Sequence, residues 1–116
     1  MATVQSPVSD MLVTVKSREV QRALLAEMRG DRPAATRHFL AAAHLELVLA
    51  ADYAGAGQND LARRSRLSGA SCLWRAGRAD QARHLFDALL QEAPAEAAEI
   101  QQVVSELSRD YPSQVP

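Results

Sequence analysis

The histidines of this chain are the residues that a metal site would need first. His38 and His44 lie six positions apart, which places them on different faces of one helix, and His84 is remote from both in sequence. Two histidines on different faces cannot share a metal ion without further ligands from elsewhere. We therefore predict no metal site and no cofactor.

Cys72 is the residue that nucleophilic chemistry would need, and it is the only cysteine. Cys72 precedes Gly77 by nearly as many residues as separate Gly77 from His84. A helical hairpin that turns at Gly77 could therefore bring the thiol and the imidazole together, with Asp87 one turn beyond His84. A catalytic relay also needs an oxyanion site, and no glycine-rich elbow accompanies these residues. We interpret Cys72 as a packed residue, His84 as a surface residue and the protein as no enzyme.

The segment "ARRSRLS" carries the strongest cluster of positive charge, with three arginines in four residues: Arg63, Arg64 and Arg66. Such a cluster could contact phosphate groups. The chain has a formal net charge of −1 and no aromatic residues between these arginines, which argues against a nucleic-acid binder. An acidic segment follows from residue 84 onward. We expect the two segments to neutralise each other in part; the alternative is one basic and one acidic partner surface.

The composition is that of one small soluble domain, with 116 residues, 47% of them apolar and 23% charged. Alanine accounts for 22 residues and aromatic side chains for five. This favours closely packed helices, because alanine gives up no side-chain entropy on becoming helical. No apolar run approaches the roughly 20 residues that span a bilayer, and no signal peptide is apparent. We expect no membrane contact and a cytoplasmic location.

Hydrophobic periodicity predicts an all-α fold, a single domain over residues 10–111 between flexible tails at 1–9 and 112–116. The five predicted antiparallel helices cover residues 10–30, 31–57, 59–77, 78–93 and 94–111. The start of the first is open, because its β-branched segment 11–15 is also compatible with extended structure. Helix 31–57 is apolar on two sides, so we expect it to lie between two neighbours.

Residues with known preferences at helix ends set these boundaries. Asp31 and Asn59 are expected N-caps, with Pro33 in the first turn after Asp31, where no N–H donor is needed. Gly30 and Gly77 are expected to end the helices that precede them. The turns between helices are short, so helices that follow one another in sequence must run antiparallel.

Glu46 interrupts the apolar face of the helix 31–57. A lone buried carboxylate is costly, so it requires a partner or access to water. We expect an ion pair with Arg66, and a second pair between Asp52 and Arg63 across the following turn. The alternative is that Glu46 is a binding acid.

The spacing Ala-x6-Gly-x4-Ala-x3-Phe occurs twice in this chain. The residues that carry it are Ala23, Gly30, Ala35 and Phe39 in the first occurrence and Ala70, Gly77, Ala82 and Phe86 in the second. The second occurrence, "ASCLWRAGRADQARHLFDALLQEAP", ends at Pro94 and resembles the core of a tetratricopeptide (TPR) repeat. The two glycines are 47 residues apart, whereas regular TPR turns recur about every 34 residues. The resemblance covers residues 17–94.

The resemblance implies a concave groove lined by the first helix of each hairpin. The positions that match the groove are Val20, Leu24, Arg64, Leu67, Ser71, Trp74 and Arg75. A tryptophan flanked by arginines is typical of a binding hot spot. The alternative is that Trp74 packs under the N-terminal tail or the fifth helix.

From these residues we expect a non-catalytic protein–protein interaction module. A peptide or helix of a partner protein would dock against Leu67 and Trp74, oriented by Arg64 and Arg75. One alternative is a homodimer that associates through the same apolar residues. Another is phosphate or nucleic-acid contact through the basic helix 59–77. The sequence identifies no partner.

Overall fold

A computed structural model of the chain describes residues 7–112, which form five α-helices, one short 3-10 turn and no strand. The helices are α1 (Pro7–Met28), α2 (Arg32–Gly55), α3 (Asn59–Arg75), α4 (Ala79–Glu92) and α5 (Ala97–Asp110), with the 3-10 turn at Pro94–Glu96 before α5. The predicted all-α fold with five helices is confirmed.

The helix α1 begins at Pro7, three residues before the boundary expected from the sequence. Its segment 11–15 is helical, although it is β-branched. Tertiary packing accounts for this, since Leu12 and Val13 lie against the buried Leu49 and Tyr53 near the end of α2. The remainder of the predicted N-terminal tail, residues 1–6, and residues 113–116 of the C-terminal one lie outside the described residues.

The helix ends follow the sequence in most places. The Asp31 side chain accepts a hydrogen bond from the Ala34 backbone N–H at 3.1 Å, with Pro33 in the first turn of α2. Gly30 and Gly77 have φ angles of +73° and +85°, a backbone conformation that glycine adopts without steric cost. Both therefore end the preceding helices as expected.

The predicted N-cap at Asn59 is wrong, because Asn59 is already the first residue of α3. The N-cap is Gln58, whose side chain makes no capping bond. Its backbone N–H donates to the Tyr53 carbonyl at 2.8 Å, which completes the turn that ends α2. The geometry of that turn, rather than a side-chain cap, sets where α3 begins.

The central helix is α2, which packs against α1 on one side and α3 on the other. This confirms the expectation drawn from its two apolar sides. Its approach to α3 depends on Gly69, where a Cβ atom would lie 3.3 Å from Leu47 Cδ2 and 3.4 Å from Glu46 Cβ. The buried residues of α2 are mostly small: Ala35, Phe39, Ala42, Ala43, Glu46, Leu49, Ala50 and Tyr53.

The remaining helices cover the other side of α3. The helix α4 packs against α3, and α5 packs against both of them through the buried Ile100 and Leu107. The rings of Phe39, Trp74 and Phe86 are the largest fully buried side chains, together with Leu49. The Cα atoms of α1 and α3 stay more than 8 Å apart.

Candidate interaction surface

Trp74 lies in the core, where only 2% of its surface is exposed. Its indole N–H donates to the backbone carbonyl of Tyr111, just after α5, at 2.8 Å. Its ring is tilted by 57° against that of Phe86, with the ring centroids 6.4 Å apart. Trp74 therefore packs under the end of the fifth helix, the alternative that the sequence left open.

Arg75 is half-buried between two aromatic rings. Its guanidinium lies 5.8 Å from the centroid of Phe39 and 5.6 Å from that of Tyr111, distances at which cation–π attraction acts. Its Nε atom is buried without a hydrogen-bond partner among the described residues. Arg75 therefore covers part of the core. The predicted role for Arg75 was to orient a peptide docked on an exposed Trp74, and Trp74 is buried.

A cleft of about 880 Å³ lies beside these residues, at the end of the bundle that holds the turns before α2 and α4. Its charges are mixed and partly paired within the protein. Arg32 lies 3.5 Å from a carboxylate oxygen of Glu27, whose other oxygen accepts a hydrogen bond from the Tyr111 hydroxyl at 3.0 Å. Burial, followed by this hydrogen bond, raises the pKa of Tyr111. Because the cleft is lined by both cationic and anionic side chains, its charge favours neither an anionic nor a cationic ligand.

The basic segment of α3 is neutralised by acids near the end of α4 and the start of α5. Arg66 lies 2.6 Å from a carboxylate oxygen of Glu92, and this hydrogen-bonded partner lowers the pKa of Glu92. Arg63 contacts Asp60 and lies 3.9 Å from Glu96. The expected partial neutralisation is thus confirmed. The basic helix retains fewer free charges for phosphate than its sequence suggests.

These contacts correct two predicted ion pairs. Arg66 pairs with Glu92 rather than Glu46, and Arg63 pairs with Asp60 and Glu96 rather than Asp52. The reason is that Arg66 and Arg63 face α4 and α5, whereas Glu46 faces α1 and α3.

The other predicted contact residues are dispersed. Leu67 and Val20 are half-buried against the core, and the Ser71 hydroxyl donates to the Leu67 carbonyl at 3.0 Å. Arg64 and Leu24 are exposed. Arg64 lines a small cleft of about 230 Å³ beside α5 with Leu67, whereas Leu24 is on α1. Trp74 is buried and the other six range from half-buried to exposed, so the seven predicted residues do not form one exposed surface.

Glu46 is 4% exposed and lies among polar groups from three helices. The ammonium of Lys16 on α1, the only lysine in the chain, is 3.7 Å from Glu46 Oε2. The Ser68 and Ser65 side chains of α3 also lower the pKa of this carboxylate. Burial outweighs these contacts and raises the pKa of Glu46 above its ordinary value of 4.5. Glu46 thus joins α1, α2 and α3 rather than binding a ligand from solvent.

This raised pKa predicts a dependence of stability on pH. The folded protein protonates Glu46 at a higher pH than the unfolded chain does, so stability increases as the pH falls through the raised pKa towards 4.5 and is lost as the pH rises through it. We expect the free energy of unfolding of the wild type, relative to Glu46→Gln, to increase as the pH falls from neutral towards 4.5. Urea unfolding at several pH values across this range measures this. The same comparison for the exposed Glu99→Gln is the control, and an equal change in both would contradict the assignment.

The side chains that suggested catalysis differ in burial. Burial, with a contribution from the nearby Glu46 charge, raises the pKa of Cys72 to about 11. A thiol with this pKa is protonated at neutral pH and is a poor nucleophile. His84 is exposed. Within residues 7–112 no group of three or more histidine, cysteine or acidic side chains is placed to hold a metal ion.

The exposed apolar side chains are concentrated on α1. Of the seven large apolar residues that are exposed in the described chain, six lie on this helix: Val8, Met11, Val15, Leu24, Leu25 and Met28. Only Val48 lies elsewhere. The helix α1 packs against α2 alone, so its opposite side has no neighbouring helix. Exposed apolar groups collected in one place are typical of an interaction site.

One row of exposed residues runs along α1 at alternating intervals of three and four. We call it the outer stripe; its members are Val8, Met11, Val15, Arg18, Arg22, Leu25 and, directly after the helix, Arg29. Residues at this spacing share one face of a helix. The sequence analysis missed this surface, although the spacing can be read from the sequence. The apolar periodicity was obscured because three of the seven residues in the row are arginine.

Comparisons with protein-family models, with curated proteins and with solved structures found no match for this chain. The TPR-like marks in the sequence therefore stay a hypothesis. A search for membrane-spanning helices found none within residues 7–112.

Proposed function

We propose that this protein is a non-catalytic interaction module that binds a helix of a partner protein along the outer stripe of α1. The observation that carries this proposal is that six of the seven large apolar side chains exposed within residues 7–112 lie on this helix, four of them in the outer stripe: Val8, Met11, Val15 and Leu25. Each remains in water in the isolated chain, and burial of apolar surface is the main favourable contribution to protein association.

The shape of the surface favours a helix as the bound segment. From Val8 to Leu25 the stripe runs about 25 Å, at 1.5 Å per residue. Intervals of three and four residues are those at which two helices pack side by side along a seam. The opposite side of α1 is fixed to the protein by the fully buried Ala23 and by the Lys16–Glu46 and Glu19–His38 pairs. A partner would therefore meet a preformed helix and need not order it.

The proposal keeps the class of function expected from the sequence and moves its location. The groove residues carried over from the TPR resemblance centred on Trp74, which is buried. The alternative of a symmetric homodimer is less well supported on this surface. Two antiparallel copies of α1 in contact along the stripe would bring Arg18 and Arg22 of each copy towards those of the other, and like charges at an interface are unfavourable.

Affinity capture with surface variants tests the proposal. We expect Met11→Asp and Leu25→Asp to abolish retention of a partner from lysate of the source cells, because each places a charge within an apolar contact. Val48→Asp, an equivalent change at the one exposed large apolar residue outside α1, should retain it. Circular dichroism should show all three variants folded. If the Met11→Asp and Leu25→Asp variants retain the partner as well as the wild type does, the proposal is wrong.

A further inference from the structure

We infer that the partner helix is acidic as well as apolar, and that it belongs to a different protein. This inference rests on the proposed function and specifies its partner. The outer stripe contains three arginines, Arg18, Arg22 and Arg29, and no acid. Arg18 and Arg22 lie between Val15 and Leu25 in the row, and Arg29 follows Leu25, so a partner that covers the whole row must also cover the charges.

The acids nearest in sequence to these arginines are engaged elsewhere. One oxygen of Glu19 lies 2.6 Å from the His38 ring on α2 and the other 3.4 Å from Arg22. Glu27 contacts Arg32 and Tyr111. Arg18 and Arg29 have no ion-pair partner within residues 7–112. Covering these two cations with an apolar surface would remove their hydration without compensation, so a complementary surface must supply carboxylates.

Parts of this chain do not meet both requirements. Residues 1–6 and 113–116 contain no charged side chain. In a second copy, α5 and the 3-10 turn before it offer a row of acids at the same three-and-four spacing, but its one large apolar member, Val103, is partly buried against the core of its own protein. Pairing α1 with α1 opposes arginine to arginine. The acids of that row are Glu96, Glu99, Glu106 and Asp110.

An anionic lipid surface fits the stripe less well. Helices that lie on membranes separate an apolar face from a basic one, so that the apolar face enters the acyl region while the charges stay at the headgroups. Here Arg18 and Arg22 lie in the same row as Val15 and Leu25. Insertion of the apolar residues would carry the arginines with them. When two helices pack side by side, each arginine of one helix can instead pair with a carboxylate that lies opposite it on the other helix.

Two synthetic peptides and charge-reversed protein variants test the inference. One three-heptad helical peptide has leucine at its seam positions and glutamate beside them, and its counterpart has lysine in place of every glutamate. We expect the full-length protein to bind the acidic peptide and not the basic one. Arg18→Glu/Arg29→Glu should weaken binding of the acidic peptide by about tenfold or more and gain affinity for the basic one. These arginines have no ion pair to lose, so the fold should be unaffected.

The matched control is Arg64→Glu/Arg78→Glu, which makes the same change in net charge at two exposed arginines away from α1. It should bind the acidic peptide within about twofold of wild type. Equal loss in both double variants would mean that only the overall charge matters and would overturn the inference. So would binding of both peptides alike, binding to phosphatidylserine vesicles in place of the peptide, or self-association of the wild type that the Arg18/Arg29 changes abolish.

The two proposals fail separately. If capture of a partner depends on Met11 and Leu25 but the acidic peptide is not preferred, the interaction surface stands and the acidic partner is wrong. If neither the captured partner nor the acidic peptide responds to Met11→Asp, the function proposed for α1 is itself wrong.

Discussion

Replacement of Trp74 by alanine is expected to destabilise the protein by about 3–5 kcal/mol, the usual cost of removing a fully buried large aromatic side chain. The indole is 2% exposed and packs against Phe86, and its removal leaves a cavity that the surrounding helices fill only in part. It also removes the hydrogen bond to the Tyr111 carbonyl. A small domain has a total stability of about 5–15 kcal/mol, so the variant should be at the margin of folding.

Urea unfolding followed by far-ultraviolet circular dichroism measures the effect, since Trp74 is the only tryptophan and cannot serve as a fluorescent reporter of its own loss. Trp74→Phe is the control, because it keeps an aromatic ring in the site and loses the hydrogen bond. It should cost clearly less than Trp74→Ala. An unchanged unfolding midpoint for Trp74→Ala would show that the indole is not in the core and would reopen the groove predicted from the sequence.

Replacement of Phe39 by alanine is the second change with a large expected effect, again about 3–5 kcal/mol. Its ring is completely buried on α2 and lies in the core shared with α3. The ring also faces the Arg75 guanidinium at 5.8 Å. Alanine would leave a cavity and remove one of the two rings between which this cation lies.

The thermal midpoint and the urea midpoint should both fall for Phe39→Ala. Phe39→Leu, which retains most of the volume, should cost less than about 1.5 kcal/mol. Val48→Ala on the same helix is exposed and should change stability by no more than about 0.5 kcal/mol. A similar loss for Val48→Ala and Phe39→Ala would contradict the placement of α2 in the centre of the fold.

Much of the fold could be predicted because its causes are local in sequence. Left-handed glycines end two helices, and Asp31 with Pro33 begins another, so the boundaries follow from neighbouring residues. The central position of α2 could also be inferred, since its own two apolar sides require two neighbours. The start of α3 could not, because it depends on a hydrogen bond from Gln58 back to Tyr53 that forms only once the turn is closed.

The surroundings of Trp74 and Glu46 could not be predicted from the sequence, because they depend on which helix covers which face of its neighbours. Trp74 has the sequence context of a hot spot, and whether it is exposed is decided by Tyr111, 37 residues later. Glu46 has several arginines within plausible sequence reach, and its actual partner is Lys16, 30 positions away on α1. Both contacts are made by residues that are distant in sequence from Trp74 and Glu46. The outer stripe of α1, by contrast, was readable from its spacing.

The order of the helices bears on how quickly the chain folds. Nearly all helix contacts join sequential neighbours, α1 with α2, α2 with α3 and α3 with α4. Chains dominated by such short-range contacts fold rapidly, in microseconds to milliseconds for helical bundles. The exceptions lie at the C-terminal end, where α5 packs against α3 and the hydroxyl of Tyr111 reaches Glu27 across 84 residues. The entropic cost of closing a loop grows with its length, so the step that seals Trp74 beneath the end of α5 is the one with the least local support. The contacts among the first four helices do not involve Tyr111, whereas the hydrogen bond that covers the Trp74 indole does.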